Sequence, residues 1–182
     1  MVITKDDFYQ KYRPASTWAK TGLLLTPIPE KDLLVRVQVK NAAEIGVCEF
    51  ADVVETDDAS TDLKIATPAA DNSIVPMFYI PDTEKNREQL AKDNSKDSYY
   101  DLNKATAKFS ADSWIDAYLL VPGMILSAKF SNSIAVKAGT KVQSAGAGLL
   151  NLYATVNARI GHILGQFPNE ASLNWGSVMV TF

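Results

Sequence analysis

Histidine and cysteine are almost absent from this chain, which has one of each among its 182 residues. A single cysteine excludes an intramolecular disulfide, and the pair offers no clustered set of nitrogen and sulfur ligands for zinc. Cys48 lies in the apolar run 45–50, which favours a small buried side chain over a nucleophile. His162 is the one imidazole that could activate it, and a Cys48–His162 pair stays open as the alternative.

Long hydrophobic runs and an excess of positive charge are also missing. No stretch approaches the roughly 18 continuous apolar residues of a membrane-spanning helix, and the opening MVITKDDFYQKYRP lacks the apolar segment of a secretory signal. The net charge of −3 argues against a nucleic-acid-binding groove, because such a groove needs clustered cations. With 47% hydrophobic and 21% charged residues, the composition predicts a normal globular core.

What the sequence does have is a two-residue alternation of apolar and polar side chains, most regular between residues 119 and 164. Alternation places one set of side chains on each face of a β-strand, and glycines divide the runs where the chain must turn or bulge. We therefore expect a mainly β fold, a small antiparallel β-barrel or sandwich, with no helix longer than about three turns. The expected strands are 33–40, 46–54, 124–130, 134–143, 149–164 (with a break allowed) and 177–182.

Residues 1–30 differ from the rest and predict an extended N-terminal arm, which leaves 31–182 as a single β-rich domain. Large aromatic side chains in a terminal segment need a surface to cover. That surface is either this chain's own barrel or a neighbouring subunit, and we take the arm as the candidate partner-binding site. Its aromatic residues are Phe8, Tyr9, Tyr12 and Trp18.

A polar segment, 83–103, interrupts the β pattern and predicts an insertion that projects from the barrel. Thr83 can cap a helix over 84–92. Because that helix is polar on nearly all faces, we expect it to be exposed. Just before it, residues 74–80 are apolar but contain Pro76, which favours an edge strand or an extended crossover.

The motifs that carry chemistry in other proteins are incomplete here. The acidic run 55–62 lacks the central glycine of an EF-hand calcium loop, and Gly146-Ala147-Gly148 lacks the third glycine and following helix of a dinucleotide site. Asp112 and Asp116 are the best carboxylate pair for glycosidic chemistry, but we interpret them as ordinary surface acids. The sequence thus predicts no catalytic residues, no cofactor and no metal site, and a protein that is not an enzyme.

Five short motifs occur in order over the last third of the chain: VPGMIL (121–126), VKAGTKV (136–142), Gly148 before a strand, RIGHIL (159–164) and WGSVMV (175–180). In these motifs the segment 119–182 resembles the decoration (cement or head-auxiliary) proteins of tailed bacteriophage capsids. The resemblance implies a virion structural protein on the capsid exterior, made in the host cytoplasm. It further implies that the protein binds the major capsid protein and stabilises contacts between capsomers. We also expect a homo-oligomer and, from the charge and the lack of long apolar runs, no binding to nucleic acid or membrane.

Two other functions fit the same sequence. One is a phage tail or head–tail connector protein. The other is a β-rich carbohydrate- or partner-binding module, which needs exposed aromatic side chains along a groove. The candidates for such a groove are Tyr99, Tyr100, Trp114 and Trp175.

Overall fold

The computed structural model describes residues 33–42, 44–54, 64–66, 75–95, 106–131, 137–154, 158–170 and 173–182. These residues contain ten strands and one helix, which confirms the mainly β fold class. In chain order the elements are β1 (Leu34–Val39), β2 (Glu49–Val53), β3 (Lys64–Ala66), β4 (Phe78–Ile80), α1 (Glu84–Asn94), β5 (Trp114–Leu119), β6 (Ile125–Phe130), β7 (Lys141–Gly146), β8 (Leu149–Leu152), β9 (Gly161–Glu170) and β10 (Leu173–Val180).

The strands form two closed barrels, where the sequence predicted a small antiparallel barrel or sandwich. The first barrel has the order β1-β3-β2-β4-β5, and the second has the order β10-β6-β8-β7-β9. If five is added to each strand number of the first barrel, the result is the strand order around the second barrel. The pairing directions also match: β1–β3 and β6–β8 are parallel, and the other four pairings of each barrel are antiparallel. The chain therefore builds one strand topology twice.

The strand predictions agree with the structure unevenly. β1, β2, β6 and β10 lie where alternation predicted strands, and the segment 149–164 breaks between β8 and β9. β7 begins at Lys141, later than expected. β4 pairs with both β2 and β5, so the edge-strand prediction is wrong. Pro76 lies two residues before β4 and therefore removes no hydrogen bond from the ladder.

Helix α1 occupies the connection between β4 and β5, whereas only two residues separate β9 from β10. The Thr83 hydroxyl accepts a hydrogen bond from the Asn86 amide at 3.2 Å, as the sequence predicted for a cap. The helix does not project, however, because Leu90 is fully buried in the core of the first barrel. The rest of the predicted insertion, residues 96–103, lies outside the described residues.

Asn86 explains how a helix with so little apolar surface attaches to the barrel. Its amide nitrogen donates to the carbonyl oxygens of Pro81 and Asp116, at 2.8 and 2.7 Å, and its Oδ1 accepts from the Asp116 amide at 2.8 Å. β5 pairs with β4 only at Tyr118 and Leu119. The buried Asn86 therefore supplies partners for the Asp116 backbone, which lies beyond those pairs.

The two barrels exchange side chains across their junction. Trp175 of β10 is fully buried among the core residues of the first barrel. In return, Phe50, Tyr79 and Tyr118 of the first barrel lie in the core of the second. The Tyr79 hydroxyl also donates to the Ser127 carbonyl at 2.7 Å. Trp175 is therefore a core residue, and its prediction as an exposed groove aromatic is wrong.

Cys48 lies in the core of the first barrel, as its apolar neighbours predicted. Burial is the main cause that raises the pKa of its thiol far above the ordinary value. Because the thiolate is the reactive form, we expect no reaction of the native protein with a thiol-specific dye and one thiol per chain in concentrated urea. Stoichiometric labelling of the native protein within minutes would contradict this placement.

Candidate functional site

The candidate partner-binding residues Phe8, Tyr9, Tyr12 and Trp18 all lie outside the described residues, so their role stays a prediction. The same is true of the acidic run 55–62 and of two groove candidates, Tyr99 and Tyr100. Trp114 is described and is 37% exposed on the outside of the first barrel.

The two carboxylates considered for glycosidic chemistry have different surroundings. Asp116 is buried on β5 and forms an ion pair with Arg36 of β1 at 2.8 Å, so its interpretation as a surface acid is wrong. Asp112 is exposed in a turn with a left-handed backbone, at φ 62°. Asp116 is thus committed to a cross-strand ion pair, which is a structural role.

Cys48 and His162 also have separate surroundings. Cys48 belongs to the first barrel. His162 lies on β9 of the second, where its Nδ1 is 3.0 Å from the hydroxyl oxygen of Thr181.

A buried cluster of charged side chains at the barrel junction was not predicted from the sequence. Glu49, at the start of β2, is fully buried. Its two carboxylate oxygens accept hydrogen bonds from Lys108 Nζ at 2.7 and 2.6 Å, and one of them accepts a third from Lys129 Nζ at 3.0 Å. The Gly46 amide donates to the same carboxylate at 2.8 Å. One anion is therefore held by two cations and a backbone amide.

Lys129 is the most unusual member of this cluster, because its side chain is fully buried. Alternation along β6 placed it on a polar face, yet the first barrel covers that face. Its ammonium lies 5.5 Å from the ring centre of Trp175, within the range of a cation–π contact. For Lys108, burial is the main influence and lowers the pKa, while the nearby carboxylate of Glu49 opposes that shift.

The cluster connects the two barrels directly. Glu49 belongs to the first barrel and Lys129 to the second. Backbone hydrogen bonds run alongside, from Phe50 N to the Gly148 carbonyl at 2.9 Å and from Lys129 N to the Cys48 carbonyl at 3.4 Å. Of the three charged side chains only Lys108 is exposed, by 11%, and none of them is an activated nucleophile. We therefore interpret the cluster as a structural contact between the barrels. Glu49 inside the apolar run 45–50 was the available signal, because a buried acid needs a cationic partner.

Asp82, whose side chain is buried, forms a second ion pair with the partly exposed Arg87 of α1. Burial is the main cause that raises the pKa of Asp82 from its usual value to about 6, and the guanidinium of Arg87 opposes the shift. The folded protein therefore binds this proton more tightly than the unfolded chain, so protonation of Asp82 favours folding as the pH falls from about 7 to about 4.

We expect Asp82→Asn to abolish this contribution. The free energy of unfolding of the variant, minus that of the wild type, should fall by roughly 2–3 kcal/mol between pH 7.5 and pH 4. Urea unfolding at several pH values measures the difference, and the exposed Asp112→Asn is the matched control. A difference that does not change with pH would contradict the assignment.

An open groove of about 390 Å³ lies on the second barrel. Among the described residues it is lined by Val75, Lys141, Tyr153, Ala158, Arg159 and Phe182. These lining residues include two cations and two aromatic rings but no acid. His162 is paired with Lys141 across the β7–β9 ladder, so a third basic side chain lies on the adjoining strand.

The described part of the chain contains neither a metal-ligand cluster nor a helix able to cross a membrane. No three or more His, Cys, Asp or Glu side chains come together there in a group able to hold a metal ion. The helix that it contains is too short and too polar to cross a membrane.

Comparisons with known proteins bear on the fold. No family model matches the chain, and no curated protein matches it. Among solved structures, the chain is similar to the N base of the head fibre protein gp8.5 in bacteriophage phi29, with a TM-score of 0.50 and 11% sequence identity. The match covers 82% of this chain and 93% of the other. At this identity the similarity shows a shared fold.

Proposed function

We propose that this protein is a structural component of a bacteriophage virion, located on the head, and that it binds the outer capsid surface and stabilises contacts between capsomers. The observation that carries the proposal is the fold similarity to the base of a phage head fibre, which spans 82% of this chain and 93% of the other. The motifs of segment 119–182 that resemble capsid decoration proteins support the same role.

The junction cluster is consistent with a protein that acts by binding and not by catalysis. The acids Glu49 and Asp82 are buried, and each is paired with a cation. A catalytic group needs a path to its substrate, and the side chains of these two acids have no solvent exposure. A rigid scaffold that presents its outer surfaces to a capsid needs no such path.

The test is binding to empty capsids. Purified protein is mixed with empty capsids assembled from the major capsid protein of the same genome, and the capsids are then pelleted. We expect saturable co-sedimentation, because repeated weak contacts on a lattice add up to strong binding. Capsids of an unrelated phage are the control. If no more protein pellets with its own capsids than with the unrelated ones, the proposal is wrong.

We further propose that the N-terminal arm, residues 1–30, supplies part of the contact with a sister subunit or with the capsid. Its aromatic side chains cost little conformational entropy to order and gain much by burial. A variant with Phe8, Tyr9, Tyr12 and Trp18 all changed to Ala should keep the wild-type thermal midpoint and lose capsid occupancy. Trp114→Ala, which removes a half-exposed indole of the first barrel, is the control and should bind normally. An arm variant that binds like the control would rule out the arm contact.

A further inference from the structure

The groove on the second barrel has the chemistry of a receptor for an acidic, aromatic segment. Lys141 and Arg159 supply positive charge, and Tyr153 and Phe182 supply apolar ring surface. The Phe182 side chain is 46% exposed, so a partner can cover it. Arg159 already donates from Nη2 to the Thr181 carbonyl at 3.3 Å, which orients the guanidinium at the groove.

The arm of this protein contains a segment of matching chemistry. Asp6 and Asp7 are followed directly by Phe8 and Tyr9, so two carboxylates adjoin two aromatic rings. Paired with the groove, the acids would meet the two cations and the rings would meet the aromatic wall, and both kinds of contact favour binding.

The described chain begins against the second barrel, which carries the groove. Leu33, the first described residue, packs against the core of the second barrel, and so does Val75, which lines the groove. From Leu33 back to Tyr9 the chain can span at most about 80 Å when extended. Another acidic and aromatic segment, 97–101, lies in the sequence between Leu90 and Ala107, which are both in the core of the first barrel. Its reach is correspondingly short.

We propose that the groove of one copy binds the 6–9 segment of the N-terminal arm of a second copy. The proposal rests on the proposed function, in which copies lie side by side on a lattice and the local concentration of arms is high. If each copy both gives and receives an arm, the contact is two-fold symmetric and closes as a dimer.

Charge exchange between two variants tests this. The arm variant carries Asp6→Lys and Asp7→Lys, and the groove variant carries Lys141→Asp and Arg159→Asp. Each alone should dimerise about a hundredfold more weakly than the wild type in sedimentation velocity, because like charges meet at both contacts. An equimolar mixture should regain wild-type association, because in the heterodimer each arm faces a groove of opposite charge.

The matched control is Lys40→Asp with Lys85→Asp, two exposed lysines outside the groove, and it should dimerise like the wild type. If the mixture dimerises as weakly as the separate variants, the proposal is wrong. A monomeric wild type also overturns it, because the arm would then bind the groove of its own copy or the capsid. Capsid co-sedimentation of the wild type is measured separately. If the wild type binds capsids but the mixture of variants does not dimerise, this inference alone is wrong. If the wild type does not bind capsids, the proposed function is wrong.

Discussion

Glu49→Gln is expected to lower the free energy of unfolding by about 3–5 kcal/mol, since removing one partner of a buried ion pair leaves an uncompensated charge. In the wild type, Glu49 compensates Lys129, which is fully buried, and Lys108, which is nearly so. Glutamine keeps the shape of the side chain but cannot balance two ammonium groups. Urea unfolding measures the loss.

Two further variants isolate the cause of this loss. Glu88→Gln makes the same chemical change on the exposed face of α1 and should change stability by no more than about 0.5 kcal/mol. Adding Lys129→Met to Glu49→Gln should recover part of the lost stability, because it removes the stranded ammonium. If Glu49→Gln destabilises no more than Glu88→Gln, the cluster does not hold the barrels together.

Gly148→Ala should destabilise the protein by roughly 2–5 kcal/mol, of which 1–2 come from the left-handed backbone and 1–3 from overpacking. Gly148 has a φ of +74°, and a Cβ built there would lie 2.8 Å from the Glu49 Cβ and 2.9 Å from its Oε2. It would also lie 3.2 Å from the Phe50 carbonyl oxygen. The turn between β7 and β8 therefore needs glycine both for its conformation and for its contact with the first barrel.

Gly139→Ala separates these two requirements. Gly139 has a similar φ of +82°, but nothing lies within 4 Å of a Cβ built there. Its replacement should therefore show the conformational cost alone, about 1–2 kcal/mol. Urea midpoints of the two variants give the difference. If both variants lost the same stability, the turn at Gly148 would not be in close contact with the first barrel.

The alternation of side chains predicted the fold class and most strands, because one buried face fixes a two-residue period. It did not predict two barrels, for a physical reason. The strands of both barrels show the same alternation, and alternation does not indicate which strands pair with each other. Three-residue strands such as β3 are also too short to show a period.

The same limit applies to the candidate site. Alternation assigns Lys129 to the polar face of β6, and it cannot show that the first barrel covers that face. Glu49 and Lys129 are 80 positions apart in sequence, so neither one reveals its partner. The groove on the second barrel likewise gathers Val75, Lys141 and Phe182 from distant parts of the chain.

The exchange of core residues between the barrels has a consequence for synthesis on the ribosome. The strands of the first barrel end at Leu119, but its core is complete only when Trp175 arrives. When β1 to β5 of a nascent chain have left the ribosome, the core of the first barrel still lacks the Trp175 indole. Commitment to the final fold therefore waits for the last strand, and the protein should emerge as one cooperative unit instead of two modules folded in turn.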